Sequence, residues 1–408
     1  MSDLSVSLKA LQQAQGSPRA AERTRGATPG VQGRPAGLDG HVDALLGCSR
    51  TQLSVASYFD EGLFQREQAL IFQHAPRYLG HALAVPEVGD HLALMQESEG
   101  RALVHTADGI ELVSNVCRHR QAVMLKGRGH TGKHIVCPLH RWTYDLHGGL
   151  LGAPHFEQDP CLHLRNYPLQ NWQGLLFEHN GRSVNTDLAG LGAAAKLDFS
   201  GFVFDRAHVH GCDYNWKTFI EVYLEDYHVG PFHPGLGGFV TCEDLSWEFG
   251  PHHSLQTVGV NKALARAGSV VYERWQKAVL NYRNGAPPAH GAIWLTYYPT
   301  VMVEWYPHVL VVSTLFPQGP QKTTNLVEFF YPEEIAAFER EFVDAQQAAY
   351  METCAEDDEI ALRMDAGRKA LLQRGDDDAG PYQSPMEDGM RHFHAWYRRE
   401  MGLQPDRG

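Results

Sequence analysis

Two short cysteine–histidine pairs constrain this chain more than any other feature. Cys117-Arg-His119 reads C-x-H and Cys137-Pro-Leu-His140 reads C-x-x-H, with the seventeen residues Arg120 to Val136 between them. Thiolate and imidazole are both metal ligands, so each pair supplies one half of a metal clamp. The fold must therefore bring two tight turns together at their tips. Between Gly80 and about Asn180 the chain runs in short alternating stretches broken by glycines, such as HLALMQ, RALVHTA, IELVSNV, HIVCPLH and GLLFEH. That is the pattern of a small antiparallel β domain, whose hairpin tips can carry the two pairs.

Two kinds of centre use these four residue types. A structural Cys₂His₂ zinc site takes them as a tetrahedron, but its histidines come as a close pair after both cysteines. Here each Cys leads its own His, the order suited to a Rieske [2Fe–2S] centre, in which one iron takes two thiolates and the other two imidazoles. CRHRQAVML and CPLHRWTYDLHGGLLGAP resemble the two cluster-binding loops of Rieske non-haem iron oxygenases. The resemblance implies a cluster held by Cys117, His119, Cys137 and His140. Gly127-x-Gly129-x-x-Gly132 also matches a dinucleotide-binding pattern, but it opens no predicted helix and lies between the cluster residues. Those glycines are expected in hairpin turns.

At 408 residues the chain is long enough for two or more domains. From Met1 to about Gly40 it is rich in Gly, Ala, Pro, Arg and Gln, which reads as a disordered tail. Residues 41–80 read as one or two N-terminal helices packing with the catalytic domain, 81–185 as the Rieske domain and 186–408 as the catalytic domain. The last segment mixes helical patterns with apolar strand candidates, AIWLTYYPTVMVEWY and VLVVSTLFP among them. The fold class is thus α+β. The resemblance sharpens the second domain to a helix-grip-like fold, a central antiparallel sheet flanked by helices.

A formal net charge of -13 argues against a nucleic-acid partner, which needs a clustered basic surface. No apolar run reaches membrane-spanning length, and no signal peptide is visible near Met1. Seven scattered cysteines do not form a secreted disulfide framework. A soluble protein of the cytoplasm is expected.

A second constellation lies in NWKTFIEVYLEDYHVGPFHPGL, which places His228 and His233 after Glu225 in a stretch predicted to be helical and broken at Pro231. Two imidazoles and one later carboxylate make a facial triad with open positions for O₂. Spacing alone leaves chance pairing open, since the chain holds 23 histidines. The segment nevertheless resembles the iron-binding pattern of Rieske oxygenase catalytic domains. By that resemblance Glu225, where the family usually has Asp, is the carboxylate bridge for electron transfer, with Asp226 as its neighbour and alternative. The third ligand is expected in CAEDDEIALRMDAGR, with Asp358 preferred and Asp357 or Glu359 as alternatives. An acidic run at a helix start, serving only the helix dipole, is the bland alternative.

The resemblance spans roughly Tyr58 to Met401 and is nearest in character to the choline, betaine and carnitine branch. It implies a terminal oxygenase with mononuclear Fe(II) and O₂ as co-substrate, hydroxylating a carbon next to nitrogen in a quaternary or tertiary amine, with N-demethylation or C–N cleavage. Aromatic-ring hydroxylation is the alternative, and a Rieske electron carrier without catalysis is the alternative of another class. Tyr223, Trp247, Trp294, Tyr297, Tyr298, Trp305 and Tyr306 offer faces for a cation, although aromatic residues in strands more often form sheet core. No flavin or nucleotide segment is evident, so a separate NAD(P)H-dependent reductase is implied. So is a homotrimer in which electrons cross between subunits.

Overall fold

In the computed structural model, residues 52–192 and 197–402 are described. The expected tail 1–40, the first part of the expected helical segment and Cys48 lie outside them. A short helix α1 (Glu61–Glu67) leads into the β region. There follow β1 (Tyr78–His81), β2 (Asp90–Ala93), β3 (Arg101–Thr106), β4 (Gly109–Ser114), β5 (Arg128–His130), β6 (His134–Val136), β7 (Thr143–Asp145), β8 (Leu150–Gly152), β9 (Asn166–Tyr167), β10 (Leu169–Trp172) and β11 (Leu175–Glu178). They form sheets of order β5-β2-β3-β4-β9, β6-β7-β8 and β1-β11-β10, all antiparallel.

Helix α2 (Val184–Asp187) precedes β12 (Phe202–Cys212). Next come α3 (Trp216–Tyr223), α4 (Val229–Phe232), α5 (Pro234–Phe239), β13 (Val240–Gly250), β14 (His253–Val260), α6 (Val270–Tyr282), β15 (Ala292–Tyr297), β16 (Val301–Tyr306), β17 (Val309–Gly319) and β18 (Lys322–Pro332). Helices α7 (Glu333–Phe338), α8 (Arg340–Arg374) and α9 (Asp388–Glu400) complete the chain. The strands make one seven-stranded antiparallel sheet of order β12-β18-β17-β16-β15-β14-β13. The protein is α+β, with a small β domain and a second domain built on a large antiparallel sheet flanked by helices.

Both faces of the large sheet are buried, and its strands sort their residues with a period of two. Val309, Val311, Phe329 and Tyr331 face helices α6 and α8, packing with Trp275, Phe342 and Val343. Leu310, Val312 and Phe330 face the other way, against Tyr78, Phe177 and Leu188 of the β domain and α2. The helical face holds the site.

The NWK stretch has a structural reason to exist. Asn215 caps α3 by accepting from Lys217 N. Lys217 Nζ and Trp216 Nε1 both reach the buried carboxylate of Glu67, at 2.6 and 2.8 Å. The segment around α1 is thereby locked onto α3 and α9, with Tyr58, Leu63 and Ile71 packing on Trp216, Ile220 and Phe393. A buried pair of this kind tolerates loss of neither partner. Among the described residues, no helix is long and apolar enough to cross a membrane.

Candidate metal centres

The two Cys/His loops have almost the same backbone. Gln121 N donates to Cys117 O and Arg141 N to Cys137 O, while Cys117 N donates to Ala122 O and Cys137 N to Trp142 O. Gln121 and Arg141 occupy the same place in the two turns, both with left-handed φ, 56° and 62°. Each turn thus buries its Cys and carries its His to the rim: Cys117 and Cys137 are buried, and His140 is exposed. His119 stacks on Trp142, centroids 5.1 Å apart, and its ring centroid is 4.7 Å from that of His140.

The Nδ1 of His119 is buried with no hydrogen-bond partner, which suits a nitrogen meant for iron. Among the described residues, only His210 with Cys212 and Asp358, and His228 with His233 and Asp357, bring three ligand atoms within 4.8 Å of one another. Tyr144 Oη lies 3.6 Å from Cys117 Sγ, and Arg118 N donates to it. Gly129 lies in β5 rather than in a turn, Gly127 in the bend before it and Gly132 in the turn after it, with no helix behind them.

In the second constellation the helix stops earlier than the sequence suggests. Helix α3 ends at Tyr223, and Pro231 lies in the first turn of α4, where its missing N–H costs nothing. His228 and His233 flank α4 as its caps. Their Nε2 atoms lie 2.8 Å apart. Asp357 Oδ1 is 3.0 Å from the Nε2 of His233 and 3.5 Å from that of His228.

Each histidine is gripped from behind by a second carboxylate. Glu225 Oε1 lies 2.6 Å from His228 Nδ1, and Glu356 Oε2 lies 2.7 Å from His233 Nδ1. The Glu356 hydrogen bond fixes the His233 tautomer with its Nε2 toward His228, whereas Glu225 accepts from the His228 backbone N–H and lies beside a His228 Nδ1 that makes no hydrogen bond. Burial lowers the affinity of His228 for a proton, but Asp357 and Glu225 outweigh it and raise its pKa to about 10. Two imidazoles with one carboxylate fit Fe(II) with open positions.

Of the three candidate acids, Asp357 is the one that lies beside both histidines. The acids sit in the middle of α8 rather than at a helix start, and successive residues there turn by about 100°. Glu356 and Asp357 face the histidines, whereas Asp358 faces away, 2.6 Å from His210 Nε2 and accepting from Tyr214 Oη at 2.7 Å. Glu359 is exposed and pairs with Arg363. Asp226, the alternative bridge, is buried with one carboxylate oxygen unpartnered.

A cavity of about 80 Å³ opens beside the histidine pair. Tyr223, Trp294 and Tyr306 line it, as the sequence offered, whereas Trp247, Tyr297, Tyr298 and Trp305 are packed elsewhere. Sequence reasoning missed Tyr272, Trp275, Tyr350 and Glu304 among the lining residues. Only Glu304 left a trace, as a lone acid inside the apolar run VMVEWY.

Residues 78–168 match the Rieske [2Fe-2S] domain and residues 199–403 the ring hydroxylating alpha subunit catalytic domain. The chain belongs to the Rieske non-haem iron oxygenases, as an oxygenase alpha subunit. It is 66% identical over 353 residues to a putrescine 2-hydroxylase of Ralstonia nicotianae, covering 86% of this chain and 96% of that one. A putrescine 2-hydroxylase of Bordetella bronchiseptica is 60% identical over 88% of this chain and 86% of its own length. The carnitine monooxygenase oxygenase subunit of Escherichia coli K12 is 26% identical over 83% of this chain and 90% of its own. Among solved structures, the quaternary ammonium Rieske monooxygenase CntA with L-carnitine shares the fold, with a TM-score of 0.67 at 18% identity over 86% of this chain and 97% of that one. The protein is accordingly an oxidoreductase that uses a [2Fe–2S] cluster, mononuclear iron and O₂. Alpha subunits of this family work with a separate reductase and form multimers.

Proposed function

We propose that this chain hydroxylates carbon 2 of a short linear diamine, putrescine being the first compound to test. The observation that carries the reading is the make-up of the cavity. It is far smaller than the roughly 300–1,000 Å³ of pockets for drug-sized ligands. Its walls are aromatic, yet they include the buried carboxylates of Glu304 and Asp226. Acids walled by aromatic faces suit a small cation and are poorly suited to an uncharged ring. The similarity to two putrescine 2-hydroxylases supports the same substrate class.

In this reading His228, His233 and Asp357 hold the iron, and Cys117, His119, Cys137 and His140 hold the cluster. Together the two centres supply electrons and O₂ activation, one oxygen atom going to the substrate and the other leaving as water with two electrons and two protons. Glu225, which lies beside His228 Nδ1 and accepts from the His228 backbone N–H, would be the carboxylate bridge to an incoming cluster histidine. His140, Leu139 and Arg141 form an exposed tip, which favours delivery to a partner subunit in a homotrimer. An NAD(P)H-dependent reductase would reduce that cluster. The described cysteines are free thiols, which favours the cytoplasm. In the same reading the Rieske domain spans residues 81–185 and the catalytic domain 186–408.

Carbon 2 bears no nitrogen, so the product keeps its C–N bonds, whereas attack beside nitrogen gives a hemiaminal that releases an aldehyde. The test is O₂ uptake and product mass with the iron-replete protein, a promiscuous reductase and NADH. Putrescine, carnitine, betaine, choline and benzoate are compared. A hydroxylated diamine supports the proposal; aldehyde release, or turnover of benzoate alone, overturns it.

A further inference from the structure

We infer that Glu304 is the anchor for the substrate ammonium group farther from the reacting carbon, a specificity-determining contact that rests on the diamine reading above. Glu304 lies on β16, so it belongs to the sheet wall of the cavity, while the histidines and Asp357 come from the helical wall. It is 2% exposed. Its oxygens accept from Tyr350 Oη at 2.8 Å and Tyr306 Oη at 2.9 Å, and among the described residues no basic side chain is paired with it. Burying an acid without a cation is costly, and two tyrosine hydroxyls offset only part of that cost.

A second buried glutamate shows what the cavity adds. Glu328 on β18 is also enclosed and also bonds a tyrosine, Tyr78 Oη at 2.7 Å. It does not line the cavity beside the histidines. Burial pushes both carboxyls up to about 7, and for Glu304 the nearby charge of Asp357 adds to the rise. Glu304 alone of the two faces a space where a cation can enter. Further cavity groups, among them the Tyr223 hydroxyl, the Trp275 and Trp294 indole N–H groups and one Asp226 carboxylate oxygen, are buried without partners, which marks the space as one meant for a polar guest. Tyr306, Tyr350 and Trp275 then present ring faces to the methylene chain and its charged end.

The geometry therefore assigns recognition as follows. One ammonium pairs with ionised Glu304 on the sheet wall, and the aromatic rings hold the chain extended toward the histidines. A monoamine of the same length leaves Glu304 buried and unpaired, so it should bind much more weakly.

The test compares 1,4-diaminobutane with 1-aminobutane and 4-amino-1-butanol, by calorimetric binding to the anaerobic holoprotein and by steady-state turnover, in wild type, Glu304→Gln and Asp226→Asn. For Glu304→Gln we expect a roughly thirtyfold rise in Kd and KM for the diamine. The kcat should change far less, preference over 1-aminobutane should be nearly lost, and iron content and cluster spectrum should stay unchanged. Retained discrimination in Glu304→Gln overturns the assignment, as does an equal loss of affinity for all three amines, or a loss that follows Asp226→Asn instead. Should Glu304→Gln fail to fold, equal wild-type affinity for diamine and monoamine still overturns it. Failure of wild type to turn over any diamine removes the functional reading itself, and the two failures are thus separable.

Discussion

The two metal regions of this molecule are built in opposite ways. The cluster loops are local: each turn closes on its own backbone, each left-handed residue sits four positions after its Cys, and the tip faces solvent. The iron site is assembled from two caps of a one-turn helix and a carboxylate on a distant 35-residue helix, with carboxylates behind both imidazoles. A centre made of local turns can be read in sequence and should fail locally. A centre made of long-range packing depends on helix phase and should be sensitive to substitutions that look equivalent on paper.

The largest expected effect breaks the symmetry between neighbouring acids. Asp357→Ala should lose mononuclear iron and at least a thousandfold in turnover while keeping the cluster spectrum, whereas Asp358→Ala should keep its iron; metal analysis beside visible absorption decides. Iron loss in Asp358→Ala instead would return the third ligand to that residue. The reciprocal variant, Cys137→Ala, should bleach the cluster, abolish reductase-driven turnover and leave iron at the histidine pair.

Next in size is the link between the centres. Glu225→Gln should retain both metals yet slow electron delivery by about a hundredfold, measured as single-turnover oxidation of the reduced cluster. Normal rates in that variant would mean that His228 needs no carboxylate behind it.

The seam between the two domains gives a smaller, pH-dependent effect. Burial raises the Glu328 carboxyl to about 7 from an ordinary 4.5. Its raised folded-state pKa contributes stability that is fully present below pH 4.5 and lost as pH climbs through 7. Glu328→Gln should therefore gain up to about 3 kcal/mol relative to wild type at pH 8, and nothing of that kind at pH 4. Thermal or urea unfolding at the two pH values is the measurement, and an unchanged difference would place no ionisation at that seam.

The smallest effect sharpens the cluster side. Tyr144 Oη lies against Cys117 Sγ, and a hydrogen bond there favours the reduced, more negative cluster. Tyr144→Phe should lower the reduction potential by roughly 40 mV, the equivalent of about 1 kcal/mol for one electron. Redox titration of the isolated oxygenase reads it directly.

The amino-acid sequence determined by itself whatever lies within one turn or one strand. Both cluster pairs, the histidine pair, the apolar runs of β15 to β17 and the α+β class are local patterns of spacing and alternation. It placed the end of α3 at the wrong residue because a proline looks the same whether it breaks a helix or opens one. Only the tertiary structure brought Asp357 rather than Asp358 beside the histidines, since adjacent residues on a helix differ in direction by about 100° and the outcome rests on which face α8 turns to them. Only it made Glu356 a support for His233 and Glu304 a wall of the cavity. In sequence an acid carries its charge but not its surroundings, and the function of a carboxylate is set by what burial leaves beside it.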